Sequence, residues 1–225
     1  MKHITLINPN TSQVTTAMMT EIARKYLPPG FAVQGVTALR GVPMILNDQE
    51  LQAAAEGVVE MGMAAVGKTD GIIVSAFGDP GLERLKVLSG LSATGICEAS
   101  MLEASEGGRR FGIATVTPDL VRSFTAKTAA LGVAHLFTGT RLTPGDPFAL
   151  ASDPERLHAA LEIATRECFE LDGAEAVIIG GGPLGQAAED LQQRLSAPVI
   201  APIRSAVERL LSLLAQASHA GAGVN

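Results

Sequence analysis

Short runs of Ile, Val and other aliphatic residues alternate with longer amphipathic stretches along nearly the whole chain. No other feature constrains the fold as much, because strand–helix–strand repetition produces βαβ units and parallel sheets. The runs predicted as strands are His3–Ile7, Ala32–Thr37, Gly71–Ala76, Thr94–Cys97, Phe111–Val116, His135–Thr138, Ala176–Gly180 and Pro198–Ile200. Between them, Leu51, Ala55, Val58, Val59, Gly62, Met63 and Val66 recur at helical spacing and line one face. Leu157, Ala160, Leu161, Ala164 and Cys168 do the same, as do Ile203, Val207, Leu210, Leu211 and Leu214. The tail Ser218–Asn225 is small and polar and reads as disordered. Hydrophobic residues make up 47% of the chain and aromatic residues only 4%, so the core must rest on aliphatic side chains. That suits parallel strands buried on both faces.

A weak internal repeat divides the chain. Asn8-Pro9-Asn10-Thr11-Ser12 ends one strand as Thr117-Pro118-Asp119 ends another, and Ser75-Ala76-Phe77-Gly78 answers to Gly180-Gly181-Gly182-Pro183. The paired segments lie roughly 105 residues apart, which predicts two similar lobes. Residues 1–100 with 205–225 form the first and 101–204 the second, interdependent because the chain ends cross between them.

The formal charge of −6 and the lack of a long basic run argue against nucleic acid or an anionic membrane surface as partner. The apolar runs are too short to span a bilayer. No charged leader and apolar segment precede the first strand, so a cytoplasmic location is expected. Two distant cysteines and four scattered histidines give no zinc-ligand spacing, and no cofactor is expected.

Ligands of open α/β sheets bind beyond the carboxyl ends of the strands, where every polar or glycine-rich cluster here falls. In the first cluster Thr11 or Ser12 is expected to cap a helix, leaving N–H groups to hold an anion. Gly78 and Gly81 bracket a tight loop in the second, and Asp79 either joins the site or caps the helix starting near Leu82. Thr117 is placed as the N-cap before Pro118. Gly180-Gly181-Gly182-Pro183 either binds an oxyanion through backbone N–H groups or simply turns sharply.

Ile7-Asn-Pro-Asn-Thr-Ser12, Phe77-Gly-Asp-Pro-Gly-Leu82 and Thr117-Pro-Asp-Leu120 together resemble the hydantoin and allantoin racemase branch of the aspartate/glutamate racemase superfamily, in the same order from about Ile4 to Leu214. The resemblance implies two pseudo-symmetric α/β lobes, each a parallel-sheet βαβ unit flanked by helices, with a small-molecule substrate in the cleft between them and a homo-oligomeric assembly. It also implies cofactor-free racemization by one cysteine from each lobe. This sequence departs from that pattern, with Ala76 and Gly181 where the family carries its cysteines.

Neither Ala nor Gly can move a proton. Cys168 falls on an apolar helix face, and Cys97 reads as a small buried hydrophobe. The expected binding residues are Asn10, Thr11, Ser12, Ala76, Phe77, Gly78, Thr117, Gly181, Gly182 and Pro183. Glu98, Asp79 and a water held by Ser75 are the candidates for acid–base chemistry, with Glu98 read either as a buried base or as a first-turn helix carboxylate. Arg204 is a candidate partner for an anionic substrate. The expected function is a racemase-superfamily enzyme acting on a hydantoin-like ring, amino acid or related carboxylate, by chemistry other than two-cysteine racemization. A non-catalytic binding relative, and a hydrolase or decarboxylase using a carboxylate or bound water, are the alternatives.

Overall fold

A computed structural model describes residues 1–222. The first lobe contains β1 (Lys2–Asn8), α1 (Gln13–Lys25), β2 (Phe31–Thr37), α2 (Asp48–Ala65), β3 (Gly71–Val74), α3 (Leu82–Ser89) and β4 (Ser92–Gly95), and α4 (Ile96–Ala104) follows. The second contains β5 (Phe111–Thr115), α5 (Val121–Ala130), β6 (Phe137–Leu142), α6 (Pro147–Ala151), α7 (Pro154–Glu170), β7 (Ala176–Ile179), α8 (Gly185–Arg194) and β8 (Val199–Ile200), and α9 (Pro202–Ala222) follows. Each lobe carries a four-stranded parallel sheet, ordered β2-β1-β3-β4 in one and β6-β5-β7-β8 in the other. The identical order is the structural form of the internal repeat.

The central strands are apolar because both of their faces are covered. Ile4, Leu6 and Ile73 of the first sheet and Phe111, Ile113, Ala176 and Ile178 of the second point into one shared core. Their neighbours alternate outward, with Ile7, Ile72 and Val74 packing against α2 and α3 residues, and Ala114, Val177 and Ile179 against α7 and α8 residues. The helices α4 and α9 complete the shared core by exchange. After β4, α4 packs on β7 and β8 of the second sheet, while α9 leaves β8 and packs on β3 and β4 of the first. No described helix is long and apolar enough to cross a membrane.

Three elements differ from the sequence expectation. The sixth strand starts at Phe137, because Ala134–Leu136 forms a single tight turn. It is a partly exposed edge strand reading Phe-Thr-Gly-Thr-Arg-Leu, so no apolar run marks it. The fourth strand stops at Gly95, which puts Cys97 and Glu98 in α4. Finally, α9 continues to Ala222, so Ser218–Ala222 is helical and the rest of the expected disordered tail lies outside the described residues.

Polar ties hold the lobes in register. Asp79 sits in the left-handed region (φ 51°), and its buried carboxylate accepts from the Cys97 and Glu98 N–H groups at 2.8 and 2.7 Å. It therefore caps α4, and not the helix beginning at Leu82, whose N-cap is Gly81. This reach depends on Gly95, where a Cβ would lie 2.0 Å from Asp79 Oδ1. Lys127 of α5 meets the same carboxylate at 3.0 Å and so joins the two lobes. Burial pushes the Asp79 carboxyl above the ordinary carboxylate range, against the pull of Lys127 and the two amides. Burial alone would lower Lys127, but Asp79 outweighs it and holds the ammonium above the usual lysine range. With three donors on the carboxylate, we take the pair as ionised.

A second tie runs from Tyr26, which ends α1, to Glu189 of α8. The phenol donates to the carboxylate, lying 2.9 and 2.7 Å from its two oxygens. Burial and Glu189 push the Tyr26 hydroxyl up to about 12.

Asp79→Ala should cost about 3–5 kcal/mol, because it strands a buried ammonium and uncaps α4. A urea midpoint followed by circular dichroism measures the loss, and an unchanged midpoint would show the tie to be idle. Tyr26 is the single tyrosine, so tyrosinate absorbance reports on it alone. Its folded value lies above the ordinary 10, so this tie is intact below pH 10 and its contribution fades as pH rises through about 12. Half-ionisation near 12 in the folded protein and near 10 after denaturation is the expected titration. Coincident curves would contradict it.

Candidate functional site

In each sheet the chain goes from the first strand to one neighbour and then returns to the other side. The loops after β1 and β3 therefore part in opposite directions, as do those after β5 and β7, and each pair opens a crevice. The two crevices meet in one cleft of about 430 Å³. Asn10, Ser75, Ala76, Phe77, Thr117, Gly181, Gly182 and Pro183 line it, all expected from sequence. Thr11, Ser12, Gly78, Asp79, Glu98 and Arg204 do not.

Local chemistry explains the split. The buried Asn8 amide donates to Asn10 Oδ1 at 2.8 Å, and the Ser12 N–H donates to the same oxygen at 2.9 Å. Both Asn10 oxygen sites are thereby used, which leaves its Nδ2 as a donor with no protein partner among the described residues. Ser12 is instead occupied as N-cap of α1, its hydroxyl accepting from the Thr15 N–H at 3.2 Å. Thr11 bonds through its backbone to the Val42 carbonyl, and Gly78 lies against Leu51.

Ser75 Oγ donates to the Ile7 carbonyl at 2.8 Å, so its proton is committed and only its lone pairs remain to serve the site. In the other lobe Thr115 donates to the Gly180 carbonyl at 2.6 Å, and Thr117 lies 3.1 Å from Thr115. Thr117 must then be the donor of that pair. It makes no capping bond, contrary to the sequence expectation. The N–H groups of Ala76 and Gly181 find no protein acceptor among the described residues. Together with Asn10 Nδ2, they give the cleft open neutral donors drawn from both lobes.

The glycines of the second lobe are not equivalent. A Cβ on Gly182 would stand 2.7 Å from the Ser75 carbonyl oxygen, so that position permits the close approach of the two strand ends. Gly181 has extended backbone (φ 163°) that any residue adopts, and a Cβ there would meet only the Leu184 side chain, at 3.0 Å.

Both carboxylates expected to act as acid or base are engaged elsewhere. Asp79 caps α4 and holds Lys127. Glu98 is buried in the first turn of α4, with Lys86 at 2.9 Å and the Thr94 hydroxyl at 3.0 Å. Arg204 pairs with Glu208 at 2.8 Å, over the Tyr26 ring. The cysteines stay buried outside the cleft. Burial and Asp79 raise the Cys97 thiol well above its ordinary range, and burial pushes Cys168 up to about 12, so neither forms a thiolate readily.

The rest of the lining was not read from sequence. Val14 and Met18 of α1, Met44 and Ile45 of the loop before α2, and Leu51 give it an apolar wall, while Leu157, His158 and Gln186 come from α7 and α8. These positions lie away from the clusters at the strand ends, and His158 is marked only by adjoining the apolar stripe at Leu157. Among the described residues no Asp, Glu, Lys, Arg or Cys lines the cleft, and His158 is its one titratable side chain.

Residues 4–210 match the Asp/Glu/hydantoin racemase family. Hydantoin racemase from Paenarthrobacter aurescens is 27% identical over 94% of this chain and 91% of its own length. Hydantoin racemase from Rhizobium meliloti is 29% identical over 99% of this chain and 92% of its own. The structure of allantoin racemase from Klebsiella pneumoniae superimposes with a TM-score of 0.91 at 28% identity, covering 96% of this chain and 89% of that one. A match spanning both sheets and every strand end that borders the cleft establishes that this chain belongs to the Asp/Glu/hydantoin racemase family.

Proposed function

We propose that this chain is a cofactor-independent racemase-family enzyme that labilises the proton beside a ring carbonyl of a hydantoin, without a cysteine pair. One observation carries the reading: the cleft offers neutral donors from both lobes and no charged side chain. A free amino acid would bring an ammonium and a carboxylate into it, each costly to desolvate without a counter-charge. A hydantoin is a neutral ring whose carbonyl oxygens suit the N–H groups of Ala76 and Gly181 and the Asn10 amide. Those donors also stabilise the enolate oxygen that develops when the ring proton leaves. The wall of Val14, Met18, Met44 and Ile45 favours an apolar ring substituent over the polar ureido arm of allantoin.

By its resemblance to the family, the chain carries Ala76 and Gly181 in place of the two cysteines, and both line the cleft. The other occupations of Asp79 and Glu98 weigh against a hydrolase or decarboxylase built on those carboxylates. A ligand-binding protein without turnover is the second reading, favoured by the absence of cysteine and carboxylate from the lining.

In deuterated water, proton NMR should show the protein exchanging the ring proton of benzylhydantoin well above the buffer rate, and faster than that of allantoin. Broadened ligand lines without exchange would instead establish the binding-protein reading. The double substitution Ala76→Cys, Gly181→Cys should raise inversion of benzylhydantoin by about 100-fold or more, as positioned acid–base pairs do. Gly181 accepts the new side chain once Leu184 shifts slightly. A folded double variant that binds but inverts no faster than the natural chain would refute the stand-in assignment.

A further inference from the structure

A group able to take a proton reaches the cleft from α7. Among the described residues His158 is the one titratable side chain lining the cleft, and it is partly exposed rather than packed in the core. Its Nδ1 faces Asp190 of α8 at 3.4 Å, slightly beyond an ordinary hydrogen bond. Among the described residues Nε2 has no protein partner. Gln186, which also lines the cleft, donates to the other Asp190 oxygen at 3.2 Å and so steadies the carboxylate from within its own helix.

Most other charged groups on the surrounding elements have partners of their own, although Glu155 and Arg156 of α7 and Arg194 of α8 form no ion pair among the described residues. On α7 Glu162 pairs with Arg166. Glu189 of α8 serves Tyr26. Arg141 of β6 pairs with Asp172 and Glu167. The strands β5 and β7 and the short helix α6, which also pack on α7, carry no titratable side chain. Asp190 is thus the one carboxylate within ion-pair distance of His158 among the described residues, and the cleft lining on its other side carries no charged side chain among them.

We propose that His158, oriented by Asp190, is the proton-accepting group of this cleft, replacing the cysteine pair with a single imidazole base. The assignment rests on the hydantoin reading above and supplies its missing base. Nε2 of the neutral ring takes the proton from the ring carbon beside the carbonyl. The C–H bond breaks, and its electron pair moves into the carbonyl to give an enolate held by the neutral donors. Asp190 then balances the imidazolium, as a carboxylate does for a catalytic histidine. The partly exposed imidazolium exchanges its proton with solvent and returns a solvent proton to the carbon. A base on one face returns it to that same face, so exchange outruns inversion. Inversion requires a water molecule to protonate the opposite face, the resulting hydroxide taking the proton from the imidazolium.

The test uses the full-length protein with enantiopure benzylhydantoin in deuterated water, following deuterium uptake by NMR and inversion by polarimetry. Uptake at least about tenfold faster than inversion is expected from the natural chain, and equal rates would overturn the single-base mechanism. His158→Ala should lower uptake by about 100-fold or more, with free imidazole restoring part of it, while Asp190→Asn lowers it less. His158→Gln, which keeps the bulk of the side chain, should lose activity like the alanine variant and still show ligand line-broadening. If the natural chain exchanges and His158→Gln exchanges equally, the histidine assignment falls and the hydantoin reading stands. If the natural chain does not exchange at all, both fall.

Discussion

The carboxylate of Asp79 does more to set the geometry of this molecule than any other single group. It leaves the loop after β3 in a left-handed turn, passes over Gly95 and closes on the first amides of α4 and on Lys127 of α5. The loop carrying Ser75, Ala76 and Phe77 is therefore anchored at its far end to the helix that covers the second sheet. A buried ion pair of this kind adds little net stability over an apolar replacement, but it tolerates few alternative arrangements. We read its role as one of register: it fixes where the two strand ends meet.

The site depends on the same economy of polar groups. At the ends of β1, β3, β5 and β7, hydroxyls and amides first satisfy one another and the local backbone. What is left over reaches the cleft, including the Asn10 amide, the Ser75 lone pairs and the N–H groups of Ala76 and Gly181. This explains how a cleft bordered by many polar residues can be apolar in most of its lining and free of charge. It is an environment in which a neutral ring is bound at low cost and a developing oxyanion is met by fixed dipoles. The one imidazole present sits on the wall, where proton exchange with solvent stays possible.

Much of the fold was legible from periodicity. Strands with both faces buried, such as β1, β3, β5 and β7, show as continuous apolar runs, and seven of the eight strands fell close to their predicted positions. The exception, β6, is an edge strand reading Phe-Thr-Gly-Thr-Arg-Leu with no fully buried residue, so its apolar signal is weak. The Ile96-Cys97 pair extends an apolar stretch past Gly95, yet the chain turns there into a helix whose first amides Asp79 satisfies. Local propensity gives no sign of a cap supplied from another loop.

By itself the sequence determined the alternation of strands and helices, the two-lobe repeat, and the strand ends at which a ligand could bind, because each is written in local apolar spacing and turn chemistry. Tertiary structure decided which polar residues remained available. Asp79 and Glu98 look as chemically able as any carboxylate in the chain, but Lys127 from the other lobe and Lys86 from the helix before β4 occupy them. His158 looks like a surface residue beside an apolar stripe, until the packing of α7 on α8 brings it to Asp190 and the cleft. Hydrogen-bond partners and charge neighbours are set by contacts between residues far apart in sequence, and no local pattern records them.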